Sequence, residues 1–362
     1  MLEILKKLIE FKTISLDHRE NEKALAWIKN EIRDLPLFTK EFSSNGFPSL
    51  ILTTRKTKQP AVLLQAHLDV VDGSPFVFVP RVTKNKLFGR GVFDMKFAVA
   101  SYLRLLRELG DNLPKYNLGV MLTTDEEVGG ENGVKFLLEK GYWAKVCLLP
   151  DGGHRLAIQV GAKGVWHLSV ECRGKSVHGS RVWQGENAVE KLSTFLSVLK
   201  NKFPKEPCSI PYHNHNTFNL GYFTGGTAAN KVPDFAKALV DIRFTPGVTR
   251  LALRKMISAA KRDFNNIKVK ELVYGPSFKI DRENSYLKLF SEILSQEYKA
   301  QPEYITSHGS SDARFFSEKG IPVVATRPNG GGHHSEKEWL DLADWEKFYL
   351  VLKRFVETTA SD

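Results

Sequence analysis

Residues 117–130, NLGVMLTTDEEVGG, run from an apolar segment straight into three consecutive acids. The segment Leu118–Leu122 is the short, unbroken apolar run of a strand buried on both faces. Asp125, Glu126 and Glu127 stand at its end. Like charges so close together repel, and a merely structural turn gains nothing from three of them. The stretch asks for a cation.

Working outward, "PAVLLQAHLDVV" (60–71) reads as the preceding strand and Met95–Leu109 as an amphipathic helix. After the acids come a short helix, "GVKFLLEKG", and a third strand, "AKVCLLP" (144–150). Near the far end, "IPVVATR" (321–327) is again strand-like and leads through glycines to the helix "LADWEKFYLVLKRFVET". Such alternation predicts an α/β domain, a mostly parallel sheet with helices on both faces. The middle of the chain keeps a different rhythm. From about Val165 the order is strand, helix, strand, strand, helix, strand, ending at "IKVKELVYG". That is the β-α-β-β-α-β order of a ferredoxin-like α+β domain. The expected organisation is a sheet domain of residues 1–162 and 276–362, interrupted by an inserted domain of residues 163–275.

Composition narrows the function. The chain has 362 residues, 42% hydrophobic and 26% charged, as ordinary soluble globular proteins do. Its net charge of +11 arises from 52 basic residues scattered among 41 acidic ones. The densest patches, "RKTK" (55–58) and "KVK" (268–270), lack the interleaved aromatic residues of a nucleic-acid surface. Nucleic acid is therefore not an expected partner, although anionic substrates would be attracted. No run approaches the ~18 apolar residues of a membrane span. The opening "MLEILKKLIEFKTI" has the period of a surface helix, not the apolar block of a signal peptide. Cys147, Cys172 and Cys208 form no CxxC pair, which fits a reducing, cytoplasmic compartment.

The polar residues can now be set on the elements. His67 and Asp69 fall at the end of the first strand, Glu126 and Glu127 after the second, Asp151 after the third, and His333-His334 after the fourth. Asp94 lies in "GRGVFDMK", just before the first long helix. Ligands of open parallel sheets bind beyond the carboxyl ends of the strands, so these residues are expected to converge. Taken alone, His-x-Asp is more often a surface pair, and an acidic triplet in a loop is usually solvated. The glycines near the acids match neither GxGxxG nor GxxxxGK[ST], so no nucleotide loop is read from them. It is the joint occurrence at matching strand ends that points to a metal. Zinc takes His nitrogen and carboxylate oxygen, and there are more candidates than one tetrahedral ion needs, as if two ions shared a carboxylate. Neighbouring side chains at a strand end point different ways, so one glutamate of the doublet can hold metal while the other acts as base.

The set "LLQAHLDVV", "LFGRGVFDMKFAVA", "TTDEEVGG", "GKSVHGS…GENAV" and "GGHHSEKEW" resembles the co-catalytic zinc peptidases and deacylases, in the family's order and over nearly the whole chain. That family includes acetylornithine deacetylase, succinyl-diaminopimelate desuccinylase, glutamate carboxypeptidase and carnosinase. The resemblance implies two Zn2+ ions per chain, with Mn2+ or Co2+ as possible substitutes. It implies His67 and Asp151 on one ion, Glu127 and His334 on the other, and Asp94 bridging them. Asp69 would orient His67, and Glu126 would move the proton from the bridging water to the leaving amine. His334 is preferred to His333 because the family's histidine is followed four residues later by glutamate, here Glu338.

By the same resemblance, the insert is a lid and dimerisation domain. His178 would reach the other subunit's site as an oxyanion donor, so a homodimer is implied. Asn230 in "GGTAANKVP" and Arg243 in "VDIRF" would bind the substrate, Arg243 through its carboxylate. Gly309 and Ser310, in "SHGSSDARFF", would line the carboxylate pocket. One departure stands out. Asp151 occupies a position that is usually glutamate in the deacetylase and carboxypeptidase branches and aspartate in the aminopeptidase- and dipeptidase-like ones. The expected function is a two-zinc hydrolase of a small peptide with a free carboxylate. The alternative within this chemistry is an N-acyl amino acid deacylase. The alternative from another class is a metal-free interaction or nucleic-acid-binding protein on the same fold, which metal analysis would distinguish.

Overall fold

The computed structural model describes residues 1–203 and 215–361, so Cys208 lies outside the described residues. Two compact units result: residues 1–160, 280–305 and 311–362 form the first, and residues 161–279 and 306–310 the second.

The first unit is built on a six-stranded sheet. Its spatial order is Phe38–Ser44, Phe47–Thr53, Leu118–Thr123, Val62–His67, Val146–Leu148 and Val323–Val324. From Leu118–Thr123 onward the neighbours are parallel, with His67 level with Thr123. All residues of Val62–His67 and Leu118–Thr123 are buried, as expected of strands covered on both faces. The helix Lys96–Leu109 packs against the strand Val62–His67 and the helices Leu2–Glu10 and Leu342–Thr359. That enclosure explains why nearly its whole circumference is buried.

The sequence reading anticipated the parallel part of this sheet and missed its edge. The strands Phe38–Ser44 and Phe47–Thr53 form an antiparallel hairpin, and Phe47–Thr53 is antiparallel to Leu118–Thr123. A signal for it was present: Asn45-Gly46 is the two-residue loop, and both residues have positive φ, 48° and 86°. Asn-Gly is the favoured pair for such a turn.

In the second unit the sheet order is Thr217–Gly225, Phe235–Phe244, Gly164–Arg173 and Ile267–Gly275, every pair antiparallel. With the helices Ala188–Lys200 and Arg250–Ala260, this is the ferredoxin-like sandwich. Even-numbered residues, Trp166, Leu168, Val170, Ala238, Val240 and Ile242, join Leu192, Phe195, Leu199, Leu253 and Ile257 in one core. Odd-numbered residues such as His167, Asp241 and Arg243 take the other face. Among the described residues, no helix is long and apolar enough to cross a membrane, and Cys147 and Cys172 are free and buried.

Candidate metal centre

The parallel strands deliver their loops to one edge of the first unit's sheet. His67 closes the central strand, Glu126–Val128 is a short 3-10 turn after Leu118–Thr123, and Asp151 follows Val146–Leu148. The structure brings His67, Asp94, Glu126, Glu127, Asp151 and His334 together in two triads. His67, Glu126 and Asp151 offer ligand atoms within 4.8 Å of one another, and so do Asp94, Glu127 and His334.

Asp94 stands between the two histidines. Its Oδ1 lies 3.4 Å from His67 Nε2 and its Oδ2 lies 3.3 Å from His334 Nε2. His334 Nε2 is also 3.1 Å from Glu127 Oε1. His334 holds this position with φ +61°, a left-handed conformation that non-glycine residues seldom adopt. His333 turns aside, packing its ring 6.4 Å from that of Phe93.

The protonation pattern of His67 tests whether a cation fits. Its Nδ1 lies 3.0 Å from the carbonyl oxygen of Asp69, and a carbonyl can only accept. Nδ1 therefore carries the proton, and in the neutral ring Nε2 presents a lone pair. That buried Nε2 has no hydrogen-bond partner among the described residues. A lone pair facing a carboxylate is repulsive unless positive charge lies between them.

The same demand appears at each group. Burial alone would lower the His67 imidazole's pKa, but Asp69 and Asp94 outweigh it and raise it well above the ordinary value. Asp94 and Glu127 push His334 up to about 10. Burial and then Asp151 raise Glu126, while burial and then Asp94 raise Asp151 to about 6. Nitrogen and carboxylate donors in this number suit divalent zinc, so the residues present fit a metal.

Supporting groups hold the triads. Asp69 is fully buried: its Oδ1 accepts from the Glu126 N–H, and its Oδ2 from the Glu127 N–H and from Ser15 Oγ at 2.7 Å. Its carboxylate is 3.5 Å from His67 Nδ1, farther than its own carbonyl. Asp125 is not aimed at the site. Its Oδ2 accepts from the Asn132 and Gly133 N–H groups and closes the loop behind the doublet. One member of the acidic triplet is thus a loop closure, and the other two are site groups. Glu338 accepts from the N–H groups of Gly91, Phe93 and Asp94 and from Arg90, fixing the segment that carries Asp94. Sequence reasoning used Glu338 as a spacing marker and missed Ser15 and Arg90. A buried acid four residues from a histidine, with an arginine in the facing loop, was the available signal.

His178, Asn230, Arg243, Gly309 and Ser310 belong to the second unit. His178 and Asn230 are both exposed and are joined through backbone, Gly179 N–H donating to Asn230 O at 2.7 Å. The Ser180 N–H donates to His178 Nδ1 at 3.2 Å, so the ring proton sits on Nε2. Arg243 commits its Nε to Asp241 at 2.9 and 3.2 Å. The Gly309 N–H donates to Ser307 Oγ, and Ser310 follows in the same turn.

The chain is similar to proteins of one peptidase family. The profile described as Peptidase family M20/M25/M40 matches residues 63–358. A succinyl-diaminopimelate desuccinylase of Pelagibacter ubique (strain HTCC1062) is 28% identical over 326 residues, 83% of this chain and 83% of that one. Among solved structures, a tripeptidase from Staphylococcus aureus subsp. aureus Mu50 superposes with a TM-score of 0.79 at 21% identity, covering 99% of this chain and 97% of that one. A dinuclear metal binding peptidase of Bacillus subtilis gives 0.72 at 16% identity, covering 100% and 98%.

Proposed function

The chain belongs to peptidase family M20/M25/M40 and is a hydrolytic enzyme; within that family we propose that it is a cytoplasmic, two-zinc hydrolase cleaving the amide bond of a small peptide with a free carboxylate. The observation that carries this reading is the buried His67 Nε2, without a hydrogen-bond partner among the described residues and 3.4 Å from Asp94 Oδ1. His67 and Asp151 would hold one ion, Glu127 and His334 the other, with Asp94 between them. When bound, such a pair polarises the amide carbonyl and makes water acidic enough to attack at neutral pH.

The chain's own groups supply the rest. Glu126 takes the water's proton on a carboxylate oxygen and passes it to the leaving nitrogen. Asp69 keeps Glu126 and Glu127 in register by binding both their N–H groups. Residues 163–275 act as lid and dimerisation domain. His178, its Nδ1 held by Ser180 and its proton therefore on Nε2, donates to the developing oxyanion of the partner subunit's substrate. Asn230 and Arg243 bind substrate from the same domain, and Gly309 and Ser310 line the carboxylate pocket. A homodimer is supported by the strand Thr217–Gly225, whose outer edge is unpaired among the described residues and carries the exposed Leu220, Tyr222 and Phe223.

Asp151 in place of glutamate favours peptides, as in the resemblance to the dipeptidase-like members. The desuccinylase relative favours the second reading, N-acyl amino acid deacylation. Two measurements test both. Elemental analysis is expected to find close to two zinc ions per chain. Hydrolysis of a dipeptide and N-acyl amino acid panel with added zinc is expected to favour dipeptides. No bound metal, with no activity restored by zinc, manganese or cobalt, would sink the mechanism.

A further inference from the structure

Arg327 lies just beyond the strand Val323–Val324 and was not singled out from the sequence. Its guanidinium is lodged by two contacts. It lies 4.2 Å from the centre of the Phe93 ring, and its Nε donates to Gly153 O at 3.2 Å. Phe93 precedes Asp94, and Gly153 follows Asp151 by two residues. The cation is thus wedged between the two loops that bring two of the site's acids. It forms no ion pair with either acid, and neither of its Nη groups has a hydrogen-bond partner among the described residues.

An arginine that served only to neutralise the acids would touch them. This one is half-buried, fixed at Nε and on an aromatic face, and keeps its outer N–H groups unspent. Stacking on Phe93 restricts the side chain in advance of binding. The outer N–H groups form a planar fork that matches a carboxylate with two charge-assisted hydrogen bonds. Arg243, by contrast, is already paired with a carboxylate, its Nε donating to Asp241 at 2.9 Å. We propose that Arg327 is a specificity-determining residue of the first unit, binding a free carboxylate of the substrate close to the scissile amide. The inference rests on the amide-hydrolase reading above and names which chain group selects anionic substrates.

The test compares matched carboxylates and carboxamides. L-alanyl-L-alanine and N-acetyl-L-alanine carry the carboxylate on the leaving-amine side, and N-succinyl-L-alaninamide carries it on the acyl side. L-alanyl-L-alaninamide and N-acetyl-L-alaninamide carry none. In Arg327→Met, kcat/KM is expected to fall roughly 10–10²-fold on the carboxylates of one side and to stay unchanged on the carboxamides. Arg327→Lys keeps the charge without the fork and should lose most of the same discrimination. Elemental analysis should find the same metal content in all three proteins. Equal losses on carboxylates and carboxamides, or no loss at all, would overturn the assignment. Calorimetry separates this proposal from the reading beneath it, using N-acetyl-L-alanine, N-succinyl-L-alaninamide and N-acetyl-L-alaninamide with Glu126→Gln and with the Glu126→Gln, Arg327→Met double variant. If the wild type cleaves nothing in the panel, the hydrolase reading fails. A carboxylate preference in binding that vanishes with Arg327 then still supports the inference, and its absence refutes it.

Discussion

The two units hold their polar residues by opposite means. In the first, three buried carboxylates act as anchors for backbone. Asp69 takes the N–H groups of Glu126 and Glu127, Asp125 those of Asn132 and Gly133, and Glu338 those of Gly91, Phe93 and Asp94. A carboxylate accepting several N–H groups in a buried place leaves a loop few alternatives. In the second, His178 and Asn230 stand in solvent, and their support is local: the Gly179 N–H donates to Asn230 O, the Arg181 N–H to His178 O, and Ser180 lies against the imidazole. The first arrangement ties the geometry of the site to the fold itself. The second leaves its groups dependent on a local turn.

The largest effect is expected at the doublet. Glu126→Gln keeps shape and the Asp69 contact, which is made through the backbone N–H, while removing the proposed base. Turnover should fall by ~10²–10⁴-fold with metal content unchanged. Glu127→Gln should instead weaken metal binding, because its oxygen faces His334 Nε2 at 3.1 Å. Stopped assays beside metal titration separate the two. Equal metal affinity in both variants would mean that the roles within the doublet are exchanged or shared.

Next in size is His178, where the second unit's looser design can be broken directly. An oxyanion donor contributes roughly 10²–10³ in rate, and His178→Ala should lose about that much without losing metal. If it serves the other subunit's site, mixing His178→Ala with Glu126→Gln chains restores activity, since one site of each mixed dimer regains both groups. Co-refolded mixtures assayed against each variant alone give the answer. Absence of rescue despite demonstrated subunit exchange would remove the role in trans.

The same contrast explains what was legible in the sequence. The parallel strands were readable because burial on both faces leaves unbroken apolar runs, as in Leu118–Leu122. The alternation of Trp166, Leu168 and Val170 with polar residues likewise marked the sandwich. Acids and histidines at strand ends could be grouped because parallel topology sends those ends to one edge. What escaped was of two kinds. The hairpin Phe38–Thr53 carried its Asn-Gly signal, but its outer strand Phe38–Ser44 is mostly polar and exposed, and only Phe47–Thr53 is buried throughout. The anchors Asp125 and Glu338 bind backbone, and backbone donors have no sequence signature. An acid that ligates metal and an acid that folds a loop are written with the same letters, so Asp125 could not be told from Glu126 by pattern.

The smallest expected effects compare one chemical change in both units. Ser15→Ala and Ser180→Ala each remove a single hydroxyl. Ser15 is buried and donates to Asp69 Oδ2 at 2.7 Å. Without it a buried carboxylate keeps only its two backbone donors, and a hydrogen bond to a charged group contributes ~1.5–3 kcal/mol. Because Asp69 also holds the Glu126–Glu127 turn, metal affinity should fall with stability, by roughly ten-fold. Ser180 is exposed, with its Oγ 2.8 Å from His178 Nδ1. Water can replace that hydroxyl, and the Ser180 backbone N–H still donates to Nδ1, so the histidine keeps its proton on Nε2. Stability should change by less than ~0.5 kcal/mol, and turnover only slightly. Denaturant unfolding and metal titration of the two variants, run side by side, read the difference. A Ser180→Ala effect as large as that of Ser15→Ala would show that the second unit's site is as tightly built as the first, and a negligible effect of Ser15→Ala would show that the two backbone donors alone secure Asp69.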